Sequence, residues 1–244
     1  MAFDTTNTAL DNKIILITGA GDGIGKASAI ECGKRGATVI LLDKMLKNIE
    51  ATYDEIVAAG GPQPALYPLD MEGAQPKDYE DMQATLDKEF GRLDGVLHNA
   101  GWLGALTPIE LYDATLWYRV MQINLNAVFL LTQACIPLLR ASESASMLFN
   151  VDQKNYAYWG AYGVANAGQV SLMQILADEL ESDNISVNAL DPGKVHTFIR
   201  MRSFPAEDKT GMNLPTDVAP AFAYLLSDAI VGTRGKIFEI EDFS

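Results

Sequence analysis

Tyr162 and Asn166, in the run "YGVAN", stand four residues apart and share one face if the segment is helical. A phenol can pass a proton to or from a reacting oxygen when its acidity is brought toward neutrality. Free tyrosine titrates near ~10, and bringing it to about 7 takes roughly 4 kcal/mol at about 1.4 per unit. A cation beside the ring would supply that, and asparagine carries no charge. The pair offers acid–base chemistry with one part missing.

A second group of residues points to a phosphate. "TGAGDGIG" runs from Thr18 through Gly19, Gly21, Asp22, Gly23 and Ile24 to Gly25. Glycines at such a turn let backbone N–H groups approach a pyrophosphate, which a following helix N-terminus stabilises. The six-residue GxGxxG fingerprint is not matched; the longer TGxxxGxG form is. Asp43 lies 18 residues after Gly25, where an acid can accept the hydroxyls of an adenosine ribose. Asp70, with Met71 after it, and "HNAG" (His98, Asn99, Ala100, Gly101) close two further apolar runs. A plain tight turn and an Asp43 helix cap are the ordinary alternatives, but four coincidences at one edge favour a site.

These residues must be held by regular elements. "KIILITGAG", "ATVILLD", "PALYPLD", "LDGVLHNAG", "SMLFNV" and "ISVNALDPG" are compact apolar runs ending in turn residues, the pattern of buried strands. Helical stretches separate them, including "LWYRVMQINLNAVFLLTQACIPLLR" and "WGAYGVANAGQVSLMQILADELE". A last helix covers "PTDVAPAFAYLLS", and "GKIFEIEDF" reads as a closing edge strand. Strands alternating with helices predict an α/β doubly wound parallel sheet, a Rossmann fold, in a single domain over 1–244. The segment 194–214 has no clean period, and a long irregular insertion in a compact domain predicts a lid over a substrate.

A net charge of −14 argues against nucleic acid or an anionic membrane as partner. The two cysteines, Cys32 and Cys135, lack metal spacing and read as buried free thiols, so no metal is expected. The start carries acids where a signal peptide needs bases, and no apolar run approaches membrane length. A soluble, cytoplasmic protein is expected.

On these motifs the chain resembles the short-chain dehydrogenase/reductase family over nearly its whole length. Within it, "GATVILL", "RLDGVLHNAG" and "WGAY" resemble the YciK-like bacterial oxidoreductases. The ordered matches are Thr18-Gly19 with Gly23 and Gly25, Asp70, Asn99-Ala100-Gly101, Asn124, Tyr162, Pro192-Gly193 and Thr197. The resemblance implies hydride exchange between a nicotinamide dinucleotide and a carbon bearing a hydroxyl or carbonyl. It implies Asp70 on the adenine, Asn99 bordering the cofactor, and Val195 and Thr197 at the nicotinamide carboxamide. It also implies Asn124 as the residue that kinks its helix and holds a relay water, and Tyr162 as the proton carrier.

Two family roles are unfilled. The lysine expected four residues after the tyrosine is Asn166, and the serine expected near the end of "SMLFNV" falls on Phe149, Asn150 or Asp152 according to alignment. Asp152 and Asn166 therefore join Tyr162 and Asn124 as catalytic candidates. Asn166 is expected to keep the lysine's ribose contact through its amide. Lys154 and Lys194 are possible substitute cations, although solvated loop lysines are the ordinary reading. Arg200 and Arg202 suggest an anionic substrate group or, more simply, a pair with Glu207 or Asp208. Trp102, Tyr156, Tyr158 and Trp159 either line a pocket or cover the core.

Asp43 and Asp22 predict NAD(H) over the 2′-phosphorylated form, with Lys44 and Lys26 arguing the other way. Apolar surplus on the helices of Asn124 and Tyr162 predicts a homodimer or homotetramer. Two functions stand: a slow or atypical oxidoreductase, and a nucleotide-binding pseudo-enzyme acting in binding or assembly.

Overall fold

A computed structural model describes residues 3–5 and 9–243. Seven strands form one sheet in the order β3-β2-β1-β4-β5-β6-β7, each neighbouring pair parallel. They are β1 (Ile14–Thr18), β2 (Thr38–Asp43), β3 (Ala65–Pro68), β4 (Gly95–His98), β5 (Ala145–Asn150), β6 (Ile185–Asp191) and β7 (Ile237–Glu239). The strands are continuous apolar runs because both sheet faces are covered. In β1, Ile14 and Leu16 enter one core while Ile15 and Ile17 enter the other.

The first layer contains α1 (Gly23–Lys34) and α2 (Leu46–Ala58). The opposite layer contains α3 (Pro76–Phe90), α4 (Ala114–Met121), α5 (Ala127–Arg140) and α6 (Gly160–Glu179). A short α7 (Phe198–Ser203) follows β6, and α8 (Pro215–Leu225) returns to pack on α1. Met82, Leu131 and Met173 fill the α3/α5/α6 side; Ala29, Ile49 and Phe222 fill the α1/α2/α8 side. Cys32 and Cys135 are both buried and free, and burial pushes each thiol up to about 12.

Three departures from the sequence reading stand out. The long apolar helix is continuous from Ala114 to Arg140 but contains a π turn at Gln122–Asn126. Its length and composition would suffice to cross a membrane, contrary to the expectation that no apolar run is long enough; here half of its most apolar window is buried against the protein. The segment 194–214 is not irregular throughout, since it holds α7 and a bridge between Val195 and Asn213. The closing strand is only three residues, ended by a 3-10 turn at Ile240–Asp242.

Candidate active site

The strand order reverses direction between β1 and β4, so a crevice opens at their carboxyl ends. Thr18 closes β1 and holds the crevice floor. Its hydroxyl donates to Leu97 O at 3.2 Å and accepts from Asn99 N at 2.9 Å and Ala100 N at 3.0 Å. Asn99 Nδ2 donates to Thr18 O at 2.9 Å, and Asn150 Nδ2 donates to Asn99 Oδ1 at 2.9 Å, linking the ends of three strands.

The glycine turn is built for close approach. Gly19 adopts φ 65°, a conformation open mainly to glycine. A Cβ on Gly25 would lie 2.2 Å from Gly19 O and 2.4 Å from Asn99 Nδ2, so only glycine fits there. Asp22 caps α1, accepting from Gly23 N at 2.7 Å. Asp43 braces the turn: its carboxylate accepts from Gly21 N at 3.2 Å and Met45 N at 2.9 Å. This glycine cradle at the head of α1 fits the pyrophosphate of a dinucleotide.

The same cleft is lined by Gly19, Asp22, Gly23, Ile24, Asp43, Asn99, Ala100 and Gly101, and farther along by Asn124, Asp152, Tyr162, Asn166, Pro192, Gly193, Val195 and Thr197. Five expected residues do not line it. Thr18, Gly21 and Gly25 act beneath the turn through the contacts above. Asp70 is exposed beyond β3 and accepts from Glu72 N at 3.1 Å. Met71 is corrected: its side chain is buried in the core beneath α3 because an apolar thioether gains more there than at a polar rim.

Tyr162 lies in the first turn of α6. Tyr158 takes a left-handed conformation (φ 77°), and the chain then turns so that Trp159 is buried against the phenol ring, with centroids 5.6 Å apart. Only 7% of Tyr162 is exposed. Burial and then the Asp152 carboxylate push its phenol well above the ordinary tyrosine range; Asp191 adds to the rise, and a hydrogen bond from Asn166 opposes it.

The amide of Asn166 is largely spent within the protein. Its Nδ2 donates to Tyr162 O at 3.0 Å, and its Oδ1 accepts from Asp152 N at 3.0 Å. These two bonds brace the strand end and leave Asn166 its second N–H, at a position that lines the cleft. Asn124 is likewise engaged. It exchanges two bonds with the Trp102 backbone, at 2.8 and 2.9 Å. The π turn frees its carbonyl, which accepts from Gln169 Nε2 at 2.8 Å.

Asp152, not Ser146, faces the cleft; Ser146 donates to Leu225 O at 2.6 Å deep in the sheet. Burial raises the Asp152 carboxyl above its ordinary range, against a lowering by Lys154. Lys154 is bonded directly to Asp152 with its side chain only 16% exposed, so it is not the solvated loop residue expected. Lys194 is exposed and pairs with Glu207 at 3.1 Å. Arg200 makes two bonds to Glu207, at 2.7 and 2.6 Å, which is the simpler of its two expectations. Arg200 holds the Glu207 carboxyl down to about 2.

Of the four aromatics, Trp159 lines the cleft, Trp102 lies beneath Arg119 at 4.2 Å, and Tyr156 and Tyr158 are largely exposed. His98 takes no part in acid–base work. It stacks on Phe149 at 4.6 Å, and burial lowers it to about 3. Sequence reasoning missed Gln169 and Asp191. Gln169 was findable, being three residues after Asn166 on the same helix face; Asp191 ends β6 as Asp43 ends β2.

Residues 13–208 match the family model for short chain dehydrogenase. The chain belongs to the short-chain dehydrogenase family. It is 35% identical over 244 residues, 99% of this chain and 96% of the other, to the uncharacterized oxidoreductase YciK of Escherichia coli K12. It is 32% identical over 245 residues to a cyclohexanol dehydrogenase of Acinetobacter sp. SE19, covering 95% of this chain and 94% of that one. A short chain dehydrogenase of Shigella flexneri 2a complexed with NADP superimposes with a TM-score of 0.93 at 36% identity, over 97% and 100% of the two chains. The Rossmann sheet and the dinucleotide crevice are thus those of an oxidoreductase family.

Proposed function

We propose that this protein is a nicotinamide-dinucleotide oxidoreductase that handles protons unusually and turns over carbonyl or alcohol substrates slowly. The observation that carries this is the buried Tyr162 phenol, which two carboxylates push upward and beside which Asn166 stands four residues on. Bound at the glycine cradle, the dinucleotide supplies or accepts a hydride.

The protein's own residues then divide the remaining work. The Gly19–Gly25 turn and the α1 N-terminus hold phosphate, and Pro192, Gly193, Val195 and Thr197 border the reacting end of the cleft. Trp159, buried, and the α7 residue Ile199 form apolar walls of the cleft. Tyr162 holds its proton tightly, which makes it a weak acid toward a reacting oxygen and leaves its base form scarce. An alkoxide forming beside Asp152 is opposed rather than stabilised. Purified protein given a reactive diketone should turn over slowly at pH 7; a brisk rate there would overturn the proposal.

The dinucleotide is proposed in either form. Asp43 supports NAD(H), yet its carboxylate is already engaged by Gly21 and Met45, and the Shigella relative carries NADP. Calorimetry with the four dinucleotides decides, and NADP(H) binding at least as tight as NAD(H) is expected. Self-association is proposed through α5 and α6, where Phe129, Val164 and Ile175 are 49%, 47% and 51% exposed. Light scattering at micromolar concentration tests it. The free buried thiols support a reducing compartment such as the cytoplasm. The pseudo-enzyme alternative draws support from Gln169 on the Asn124 carbonyl; cofactor binding without turnover of any substrate would establish it.

A further inference from the structure

We propose that Asp152 and Lys154 form a proton relay that connects the Tyr162 phenol to solvent on the far side of Trp159. This rests on the oxidoreductase reading of the cleft and names how its phenol is reloaded.

Two cavities meet at Trp159, which lines both. Tyr162 and Asp152 line the cleft on one side of it. Lys154, Tyr156, Gly163 and Val164 line a second groove on the other side. Asp152 and Lys154 are bonded to each other, so one ion pair has a member in each cavity, and Lys154 Nζ stands 5.7 Å from the centroid of the Trp159 ring. The loop that carries the pair is pinned to α6 beside Tyr162. Asn166 Oδ1 accepts from Asp152 N at 3.0 Å, and a Cβ on Gly163 would lie 2.5 Å from Lys154 O, so a glycine is needed for that approach. The other charged groups that act on Asp152 are Asp191, at the end of β6, and Arg200 on α7, with opposite signs. Arg200 and Lys194 are both held by Glu207, which leaves Lys154 as the cation bonded to Asp152.

Among charged groups, the Asp152 carboxylate acts most strongly on the phenol. A carboxylate so placed makes Tyr162 harder to ionise, yet it is also an acceptor for the phenol's proton. When a carbonyl carbon receives the dinucleotide's hydride, the C=O electron pair moves onto oxygen, and Tyr162 Oη gives that oxygen its proton. The phenol regains a proton through Asp152, which takes one from the Lys154 ammonium, so no phenolate has to persist beside two carboxylates. Lys154, left as a neutral amine, takes a proton from solvent in the second groove. In alcohol oxidation the same protons run outward, starting from the form of the three groups that is one proton short. That form grows with pH as a phenolate does, so the slope of rate against pH is the same by either route. The ammonium itself has to be tested.

Lys154→Met keeps an apolar stem beside Trp159 and should slow reduction of butanedione at pH 7 by at least about tenfold, with NADPH affinity in calorimetry changed by less than about threefold. Lys154→Ala should lose as much, and methylammonium at about 0.1 M should restore at least half of the loss. Tetramethylammonium, which carries the charge but no transferable proton, should restore nothing. A second readout needs no turnover. With NADP⁺ bound, exchange of the Tyr162 hydroxyl proton with water, followed by NMR of its labelled ring carbon in mixed light and heavy water, should slow by at least about tenfold in Lys154→Met. Thermal melting checks the fold, and either folded variant decides. Reduction or hydroxyl exchange unchanged in a folded variant, or equal rescue by tetramethylammonium, overturns the relay and leaves the oxidoreductase reading standing. NADPH binding with no substrate turned over by the wild type overturns that reading, and hydroxyl exchange then still decides the relay.

Discussion

The two ends of the cleft are built on opposite principles. At the dinucleotide end, Thr18, Asn99, Gly19, Gly25 and Asp43 form one connected network in which each polar group holds backbone and leaves the cradle free. At the chemical end, Tyr162, Asn166, Asn124 and Gln169 spend their groups on one another and on nearby backbone, and the charged residues are paired off. The first end is organised around backbone contour; the second is organised around a few buried polar and charged side chains. Binding and chemistry are separable here, because one depends on backbone contour and the other on the sign of a few charges.

The sharpest way to break the comparison is at Gly25. Gly25→Val forces side-chain atoms onto Gly19 O, so dinucleotide affinity should fall by more than about 100-fold in calorimetry. Retained affinity would mean that the cradle does not hold phosphate.

Next in size is the phenol. Because Tyr162 is pushed above the ordinary tyrosine range, its base form stays scarce through the accessible pH range. Alcohol oxidation should therefore climb about tenfold per pH unit with no plateau below about pH 10. A plateau near pH 7 in the pH–rate profile would show that a cation does reach the phenol. Asn166→Lys should restore the charge, raise carbonyl turnover by about 10- to 100-fold, and move the pH optimum down, with dinucleotide affinity changed little. No gain would place the main defect at Asp152 instead.

A smaller effect is expected at Thr18. Thr18→Val removes the acceptor of two backbone N–H groups and should lower stability by about 2 kcal/mol in urea unfolding. The smallest concerns the segment 194–214. Arg200 lowers the Glu207 carboxyl to about 2, so the stabilisation from this pair is present above the ordinary carboxylate range and fades as pH falls through about 2. Glu207→Gln should leave dinucleotide binding unchanged and raise substrate KM a few-fold at neutral pH, measured by steady-state kinetics.

The binding end was legible in the sequence because its signals are local. A glycine needed for close approach, an acid at a strand end and a run of β-branched residues each keep their meaning within a few positions of the chain. Met71 was the exception, since whether a side chain at a strand end faces the rim or the core depends on what packs beneath it. At the other end the sequence places Asn166 four residues after Tyr162 and no serine at the end of β5, which fixes residue types at a spacing but not what they touch.

What these side chains touch only the tertiary structure decided. Lys154 looked like a solvated loop residue and is instead bonded to Asp152; Asn166 looked available for a ribose and is turned to the Tyr162 and Asp152 backbone. Gln169 reaches the Asn124 carbonyl across two helices, 45 residues apart in the chain. Sequence thus determined the fold and the glycine cradle, through periodicity and backbone freedom. The acidity of Tyr162 is a sum over burial and over groups brought together from the loop after β5, from β6 and from α6, and no local window of the chain contains that sum.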